Sequence, residues 1–449
     1  MTKVIFYLAL CGLAAIVSAA ITPMPLISRG IPAYASSGTA SEANSANYAS
    51  LWRSSGQPAW IAYDLSSVTA AERAKVLAVW YNNASYGYLN TATKYNLPGP
   101  YVIEGNAAAG GGSAAPSTGW STLVTSENPM NYHSHQYAIN NFAGNNWIRF
   151  RTTAANPLND GQNVDCSIKF EVYDISSGAT DDWILCGNSI TANTWQAGDF
   201  LTRIHAVKPA YNPALESAGM PGCTSNDGVG YMDQFLPQFA GTFVCLCYGT
   251  NDANTGGLLS TTQVNTIYGN YQSMVQKTIT AGKIPVVGSV IWSPVATNQT
   301  NLQAINAKLA QLTGVYPQLL TGPDLYTKFS GHASWFSDNL HPNSEGMDTL
   351  RSVWAQWAFN TVYSGGALVE SPKPAEALPQ KGIASVRVSG KSVFFRAADN
   401  GTVKVFDILG RTVAILPVYG RATTTLHLRS SGIFIVKMEG SAAHRIVVF

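Results

Sequence analysis

Four short blocks of the sequence hold residues whose types and order suit nucleophilic catalysis. A Gly-Asn-Ser block ends at Ser189, directly after an apolar run. Two further blocks, Gly-Met-Pro-Gly and Gly-Thr-Asn-Asp, contain Gly222 and Asn251, and Asp338 lies three residues before His341 in Asp-Asn-Leu-His-Pro-Asn. A serine hydroxyl is a poor nucleophile at neutral pH, so it needs a histidine base that a carboxylate orients.

Each block alone also has an ordinary structural explanation. A serine after a strand is commonly a helix N-cap, glycine and asparagine are common in turns, and an aspartate can cap a turn beside a solvated histidine. The order of the blocks, and their shared position after successive predicted strands, favour one catalytic site.

Together the four blocks resemble the SGNH hydrolases, also called GDSL-type esterases and lipases, across residues 182–363. The resemblance implies that Ser189 is the nucleophile, that Gly222 and Asn251 help to form an oxyanion hole, and that His341 and Asp338 complete a triad. It implies neither a metal nor an organic cofactor. The family's Gly-Asp-Ser-Leu block reads Gly-Asn-Ser-Ile here. The family pattern therefore does not determine the hydrogen bonds around the serine in this chain.

The segments between these blocks predict the elements that must position them. Continuous apolar runs at 183–186, 243–247 and 284–291 indicate strands that are buried on both faces. Apolar residues at helical spacing lie between the runs, with Gly282 and Gly314 as predicted C-caps and a last helix from about Asn343. Residues 179–366 are therefore expected to form a doubly wound α/β domain, whose chemistry lies beyond the carboxyl ends of its strands.

Residues 21–178 predict an all-β domain. Short segments separated by Gly, Asn and Pro indicate strands, and Cys166, Ile168, Phe170 and Val172 alternate as on a sheet that is packed on one side. The phrases PAWIAYDLS, NNWIRFRTT and FEVYDIS resemble a galactose-binding-like or discoidin-like module, which implies a jelly-roll-like β-sandwich that binds carbohydrate. Packing in the core and against the neighbouring domain is the alternative role for the aromatic residues.

The end of the chain predicts a linker and a further β domain. Residues 367–381 contain three prolines among charged and small residues, and six short strand patterns between 382 and 449 predict a small all-β sandwich. VKVFDILGR (403–411) and SGIFIVKMEG (431–440) resemble the C-terminal sorting domain of type IX-like bacterial secretion systems. This resemblance implies secretion machinery as a partner, and a small accessory sandwich is the alternative.

Residues 1–20 have the pattern of a signal peptide. Lys3 precedes an apolar run that is too short to span a membrane, and small residues follow at 18–20. We therefore expect a secreted or cell-surface protein with no membrane span. Cys11 lies in this segment, and the five other cysteines are an odd number, so at least one thiol is unpaired within the chain.

Other candidate sites are less specific. Lys and Arg total 27 against 25 for Asp and Glu, so the chain has no excess positive charge for binding nucleic acid. His133 and His135 could ligate a metal from one face of a strand, but no third ligand lies nearby in the sequence. Trp292 and Trp335 could line a sugar subsite or pack in the core.

These features predict a secreted serine esterase that removes O-acetyl groups from plant cell-wall polysaccharides, such as acetylated xylan or mannan. The alternatives are a lipase, lysophospholipase or arylesterase of the same superfamily, a non-catalytic carbohydrate-binding protein, and a structural surface protein. Fold alone does not choose among them.

Overall fold

The described part of the chain comprises fourteen segments of a computed structural model. They are residues 21–48, 50–82, 96–126, 134–156, 164–194, 197–207, 209–363, 383–389, 392–397, 401–407, 411–418, 423–428, 432–438 and 444–448. The chain divides into two compact units, Met1–Pro372 and Lys373–Phe449. The predicted signal peptide and linker lie outside the described residues, among which no helix is both long and apolar enough to cross a membrane.

The first nine strands form two antiparallel sheets. They are β1 (Ala33–Ala35), β2 (Trp52–Arg53), β3 (Trp60–Asp64), β4 (Val76–Tyr81), β5 (Tyr101–Asn106), β6 (Ser121–Thr125), β7 (Ser134–Ile139), β8 (Trp147–Thr152) and β9 (Ser167–Asp174). The strand order is β1-β3-β8-β5-β6 in one sheet and β2-β9-β4-β7 in the other. Aromatic side chains join the two sheets, since the ring of Phe170 on β9 stacks on that of Tyr63 on β3 with centroids 5.5 Å apart.

The prediction that β9 belongs to a sheet packed on one side is wrong. Lys169 and Glu171, which alternate with the apolar residues, are also buried. Residues near the start of the described chain cover them, because Arg29 pairs with Glu171 at 2.5 Å and Lys169 donates to the carbonyl of Ser45. Ion pairing and hydrogen bonding make such burial tolerable, and sequence alternation alone does not reveal it.

The next five strands form one parallel sheet. They are β10 (Asp182–Gly187), β11 (Ala214–Gly219), β12 (Phe243–Cys247), β13 (Ile284–Val287) and β14 (Leu320–Thr321), in the order β11-β10-β12-β13-β14. All four strand pairs are parallel. The chain passes from β10 to one neighbour and then to the other, so the topological switch point lies beside β10, where open α/β sheets form a crevice.

Nine α-helices lie between or after these strands in the described chain. They are α1 (Ser189–Thr194), α2 (Ala197–Val207), α3 (Ser225–Phe235), α4 (Thr250–Ala253), α5 (Thr261–Thr280), α6 (Ala296–Leu309), α7 (Leu312–Val315), α8 (Leu325–Phe329) and α9 (Ser344–Ala358). Gly282 follows α5 with a φ of +72°, as predicted for a C-cap. The C-cap prediction at Gly314 is wrong, because α6 ends at Leu309 and Gly314 lies inside the one-turn helix α7.

The antiparallel region and the parallel sheet share a hydrophobic core. Leu77 and Val79 on β4 belong to the same buried cluster as Trp183 and Leu185 on β10. Each residue of β4 is buried, because one face of the strand packs between the two antiparallel sheets and the other packs towards the parallel sheet. These two regions therefore form one packed body.

The described residues of the second unit form seven strands, one more than predicted. They are β15 (Ile383–Ser389), β16 (Ser392–Ala397), β17 (Gly401–Asp407), β18 (Thr412–Val418), β19 (Thr423–His427), β20 (Gly432–Met438) and β21 (His444–Val448), in two antiparallel sheets ordered β15-β16-β19 and β18-β17-β20-β21. The missed strand, β18, contains Pro417 and lies at a sheet edge, where a proline does not interrupt the hydrogen-bond ladder.

The first testable prediction concerns Asp181, just before β10. Burial raises the pKa of Asp181 to about 7, and Tyr363 and Trp183 both donate to its Oδ1. Between about pH 4 and pH 7 the folded chain therefore keeps a proton that the unfolded chain has lost, so stability falls as pH rises through this range. Asp181→Asn keeps the acceptor and cannot ionise. The Tm of the variant minus that of wild type should therefore be several degrees larger at pH 8 than at pH 5.

Thermal unfolding followed by circular dichroism from pH 4 to pH 8 measures this effect. Asp233→Asn, at a largely exposed carboxylate, is the control and should show a constant Tm difference. A Tm difference for Asp181→Asn that does not change with pH would contradict the assignment.

Candidate active site

Ser189 begins helix α1 at the carboxyl end of β10, the strand next to the edge strand β11. Its hydroxyl Oγ lies 2.9 Å from Nε2 of His341, and the residue is 5% exposed. The cap of this helix is provided by the preceding residue, because Oδ1 of Asn188 accepts from the amide of Ile190 at 3.0 Å. The serine hydroxyl is thus not used as an N-cap, and it remains available to the histidine.

His341 and Asp338 lie in one loop that leads into α9. Nδ1 of His341 is 2.9 Å from Oδ2 of Asp338. The loop is closed on itself, because Phe336 and Pro342 form an isolated β-bridge and the amide of Ser337 donates to the carbonyl of His341 at 2.9 Å. This closure holds the imidazole between the serine and the carboxylate.

The electrostatics of this loop favour an ionised Asp338. Partial burial opposes ionisation, but main-chain and side-chain hydrogen bonds from His341 and the amide of Leu340 outweigh it and lower the pKa of Asp338. Its Oδ1 accepts from the amides of Leu340 and His341 at 2.7 and 2.6 Å. An ionised carboxylate only accepts, so Nδ1 of His341 is the protonated nitrogen and Nε2 keeps its lone pair for Ser189.

Gly222 and Asn251 follow the two strands that flank β10. The register pairs Gly187 with Gly219 on one side and with Cys247 on the other, so the loops after these strands start at one edge of the sheet. The amide side chain of Asn251 donates through Nδ2 to the carbonyl of Cys223 at 2.9 Å, which ties it to the residue after Gly222. Gly222 has a φ of +80°, a backbone conformation that favours glycine.

Asp252 holds this loop, a role that the sequence analysis did not assign. Its carboxylate accepts from the amide of Ser225 at 2.9 and 3.1 Å and from the hydroxyl of Ser225 at 2.6 Å. Asn270 on α5 donates to the same hydroxyl at 3.0 Å. The position of Asp252 beside Asn251 was the only signal in the sequence for this role. Its partner Ser225 lies in the connection between β11 and β12, which the sequence does not identify.

The remaining sequence candidates have different surroundings. His135 pairs with Glu216 at 2.6 Å, while His133 lies outside the described residues. No group of three or more His, Cys, Asp or Glu residues in the described segments could hold a metal. Trp292 is buried against Phe336, and Trp335 stacks on His332 with ring centroids 3.8 Å apart.

The cysteines of the described chain are all free thiols. They are Cys166, Cys186, Cys223, Cys245 and Cys247. Burial raises the pKa of Cys247 to about 12, so its thiol is not ionised at neutral pH. Buried, protonated thiols are poor nucleophiles, which leaves the serine hydroxyl as the nucleophile that has a base beside it.

Comparison with known proteins identifies a family for the middle of the chain. Residues 185–349 match the GDSL-like Lipase/Acylhydrolase family. We therefore identify a GDSL-like lipase/acylhydrolase (SGNH) domain in this part of the chain, and the family is one of carboxylic ester hydrolases. No curated relative matches the sequence.

Several solved structures are similar to about two fifths of the chain. One is a lipase/acylhydrolase from Enterococcus faecalis, with 20% identity over 40% of this chain and 96% of that chain and a TM-score of 0.36. A psychrotrophic esterase, EstA, from a Pseudoalteromonas species has 18% identity over 40% and 97%, with a TM-score of 0.34. A carbohydrate esterase family 3 structure from Talaromyces cellulolyticus has 16% identity over 40% and 97%, with a TM-score of 0.32.

The second prediction tests the support of the Gly222 loop by Asp252. Asp252→Ala removes the acceptor for the amide and hydroxyl of Ser225, and losing hydrogen bonds to a charged group costs about 1.5–3 kcal/mol. We expect the amide of Ser225 to exchange hydrogen at least about 10-fold faster, with a lower Tm. Residue-resolved hydrogen exchange measures the exchange rate of the Ser225 amide, with Asp233→Ala as the control. An unchanged rate at Ser225 in Asp252→Ala would contradict the assignment.

Proposed function

We propose that this protein is a serine esterase that removes O-acetyl groups from polysaccharides through an acyl-enzyme. The observation that carries ester hydrolysis is the continuous chain from the Ser189 hydroxyl through the His341 imidazole to the Asp338 carboxylate. The proposed roles are nucleophile for Ser189, general base and acid for His341, and orienting carboxylate for Asp338.

In the first step Nε2 of His341 takes the proton of the Ser189 hydroxyl while Oγ attacks the carbonyl carbon of the ester. The ionised Asp338 keeps the proton of the imidazole on Nδ1 and stabilises the imidazolium that forms. The tetrahedral intermediate then collapses with cleavage of the bond to the sugar oxygen, which takes the proton from Nε2 and leaves as a hydroxyl. The acetyl group remains bound to Ser189 as an ester.

Negative charge develops on the former carbonyl oxygen during both steps. We assign its stabilisation to the backbone N–H groups of Ser189 and Gly222 and to the side-chain amide of Asn251. The Asn251 amide has two N–H bonds, and the bond to the Cys223 carbonyl uses one of them. Water activated by His341 then hydrolyses the acyl-enzyme, and no cofactor takes part in the proposed cycle.

The exposure of the candidate triad supports a large substrate. The side chains of His341 and Asp338 are 25% and 55% exposed, so the reaction would take place at an open surface that a polymer can reach.

The rest of the chain supports a polysaccharide substrate outside the cell. The signal-peptide pattern of residues 1–20 and the resemblance of the C-terminal strands to a sorting domain support export through bacterial secretion machinery. The resemblance of residues 21–178 to galactose-binding-like modules supports carbohydrate as the substrate class. Acetylated xylan and mannan are the substrates that we propose.

The third prediction tests the role of the carboxylate. Asp338→Asn places an amide N–H within reach of Nδ1 of His341, so the tautomer that protonates Nε2 is favoured and the base is lost. Because Asp338 is half exposed, we expect kcat for p-nitrophenyl acetate to fall by about 10²- to 10³-fold, less than the ~10⁴-fold known for a buried carboxylate. Asp348→Asn, on the surface of α9, is the control. A decrease in kcat of less than about 10-fold for Asp338→Asn would contradict the assignment.

The fourth prediction tests the nucleophile and the substrate class together. We expect acetate release from acetylated xylan or glucomannan, and faster hydrolysis of p-nitrophenyl acetate than of p-nitrophenyl laurate. Both activities should disappear in Ser189→Ala and persist in Ser121→Ala, a serine on the exposed strand β6.

Each outcome of this experiment has a distinct meaning. Activity on long acyl esters alone would keep the serine mechanism and identify a lipase. Glycan binding without ester hydrolysis would identify a carbohydrate-binding protein, and activity that survives in Ser189→Ala would refute the nucleophile.

A further inference from the structure

The edge strand of the parallel sheet carries buried polar residues that its own domain does not pair. β11 lies at the end of the sheet, and its sequence Ala-Leu-Glu-Ser-Ala-Gly places Glu216 and Ser217 at 3% exposure each. A buried carboxylate requires a partner, and a buried main-chain N–H requires an acceptor. An edge strand has neither on its outer side unless another element covers it.

The N-terminal antiparallel region supplies these partners from two adjacent strands. Oγ of Ser134 on β7 accepts from the amide of Ser217 at 2.7 Å, and the hydroxyl of Tyr81 on β4 accepts from the amide of Leu215 at 3.3 Å. Nδ1 of His135 lies 2.6 Å from Oε1 of Glu216. Side chains of the neighbouring region thus take the place of a further strand.

The next residue of β7 extends this contact to β10, the neighbour of β11. Gln136 donates through Nε2 to Oδ1 of Asp182 at 2.9 Å, and both residues are buried. Three consecutive residues of β7 therefore bind the outer part of the parallel sheet. These contacts indicate that the N-terminal region is a structural part of the hydrolase domain and not a separate module joined to it only by a linker.

We propose that Ser134 and the His135–Glu216 pair are positioning residues for the reaction, which act by fixing β11 and the Gly222 loop that follows it. The inference rests on the proposed function, in which the N–H of Gly222 stabilises the oxyanion. It assigns the N-terminal region a catalytic support role that is separate from any binding of carbohydrate.

The path from Ser134 to the reacting atoms is short and closely packed. The amide of Met220 donates to the carbonyl of Gly187 at 2.9 Å, so the start of the loop is bonded to the strand that carries Ser189. Gly219 lies so close to the backbone of Thr191 and Ala192 in α1 that a Cβ would collide with it. A displacement of β11 would therefore move Gly222 relative to Ser189.

The experiment compares two serines with the same local chemistry in the full-length protein. Oγ of Ser134 accepts from the amide of Ser217, and Oγ of the buried Ser28 accepts from the amide of Val172 on β9 at 2.8 Å. Ser134→Ala and Ser28→Ala each leave one buried main-chain N–H without its acceptor, but only the first does so on β11. Both should lower the Tm.

We expect Ser134→Ala to reduce kcat for p-nitrophenyl acetate about 10-fold with little change in KM, measured well below its Tm. Ser28→Ala should keep the wild-type kcat. A kcat for Ser134→Ala that equals that of Ser28→Ala would overturn the proposal. Glu216→Gln, which neutralises the pair at constant size, provides the same comparison if Ser134→Ala does not fold.

A double-mutant cycle distinguishes positioning from general destabilisation. If Ser134 acts through the Gly222 loop, to which Asn251 is bonded, Ser134→Ala combined with Asn251→Ala should lose less activity than the product of the two single effects. Ser28→Ala combined with Asn251→Ala should show the simple product. Losses that multiply in both cycles would refute a positioning role for Ser134. A wild-type protein without esterase activity would instead refute the proposed function.

Discussion

The structure depends on the register of three parallel strands at one edge of a sheet. Gly187 at the end of β10 is aligned with Gly219 of β11 and with Cys247 of β12. The loops that contain Ser189, Gly222 and Asn251 leave the sheet from these three positions. Because parallel strands place their carboxyl ends on one side, residues that are distant in sequence meet at this edge of the sheet.

The histidine and the carboxylate reach this edge by a different route. They lie in a loop that is closed by the Phe336–Pro342 bridge and fixed to the start of α9, where Asn343 caps the helix by accepting from the amide of Gly346. A single loop can provide both residues because an Asp three positions before a His can bind its ring and its main-chain N–H together. The site thus combines a rigid sheet edge with one self-contained loop.

Burial of polar groups explains why the N-terminal region and the hydrolase domain form one unit. The two share apolar core residues on β4 and β10, and the buried Glu216 and Asp182 of the parallel sheet find their partners on β7. Separation would expose this core and leave both carboxylates unpaired. A region that resembles a binding module can in this way contribute to the fold of the enzyme, and the two roles do not exclude one another.

The sequence predicted three of the five parallel strands and the residues of the candidate site. Continuous apolar runs indicated β10, β12 and β13, whereas β11 contains Glu216 and Ser217 and β14 has only two residues. The resemblance of the four blocks to the SGNH hydrolases allowed Ser189, Asp338 and His341 to be named before their contacts were known. Local patterns also predicted the three longest helices, α5, α6 and α9, and six of the seven C-terminal strands in the described residues. The exceptions were Gly314, where a short helix follows α6 directly, and β18, whose proline masks an edge strand. The polar contacts between segments distant in sequence are known only from the tertiary structure, among them Asp252 with Ser225, His135 with Glu216, and Lys169 with the carbonyl of Ser45. The partner of a buried polar group is chosen by packing in space, and no periodicity along the chain records it.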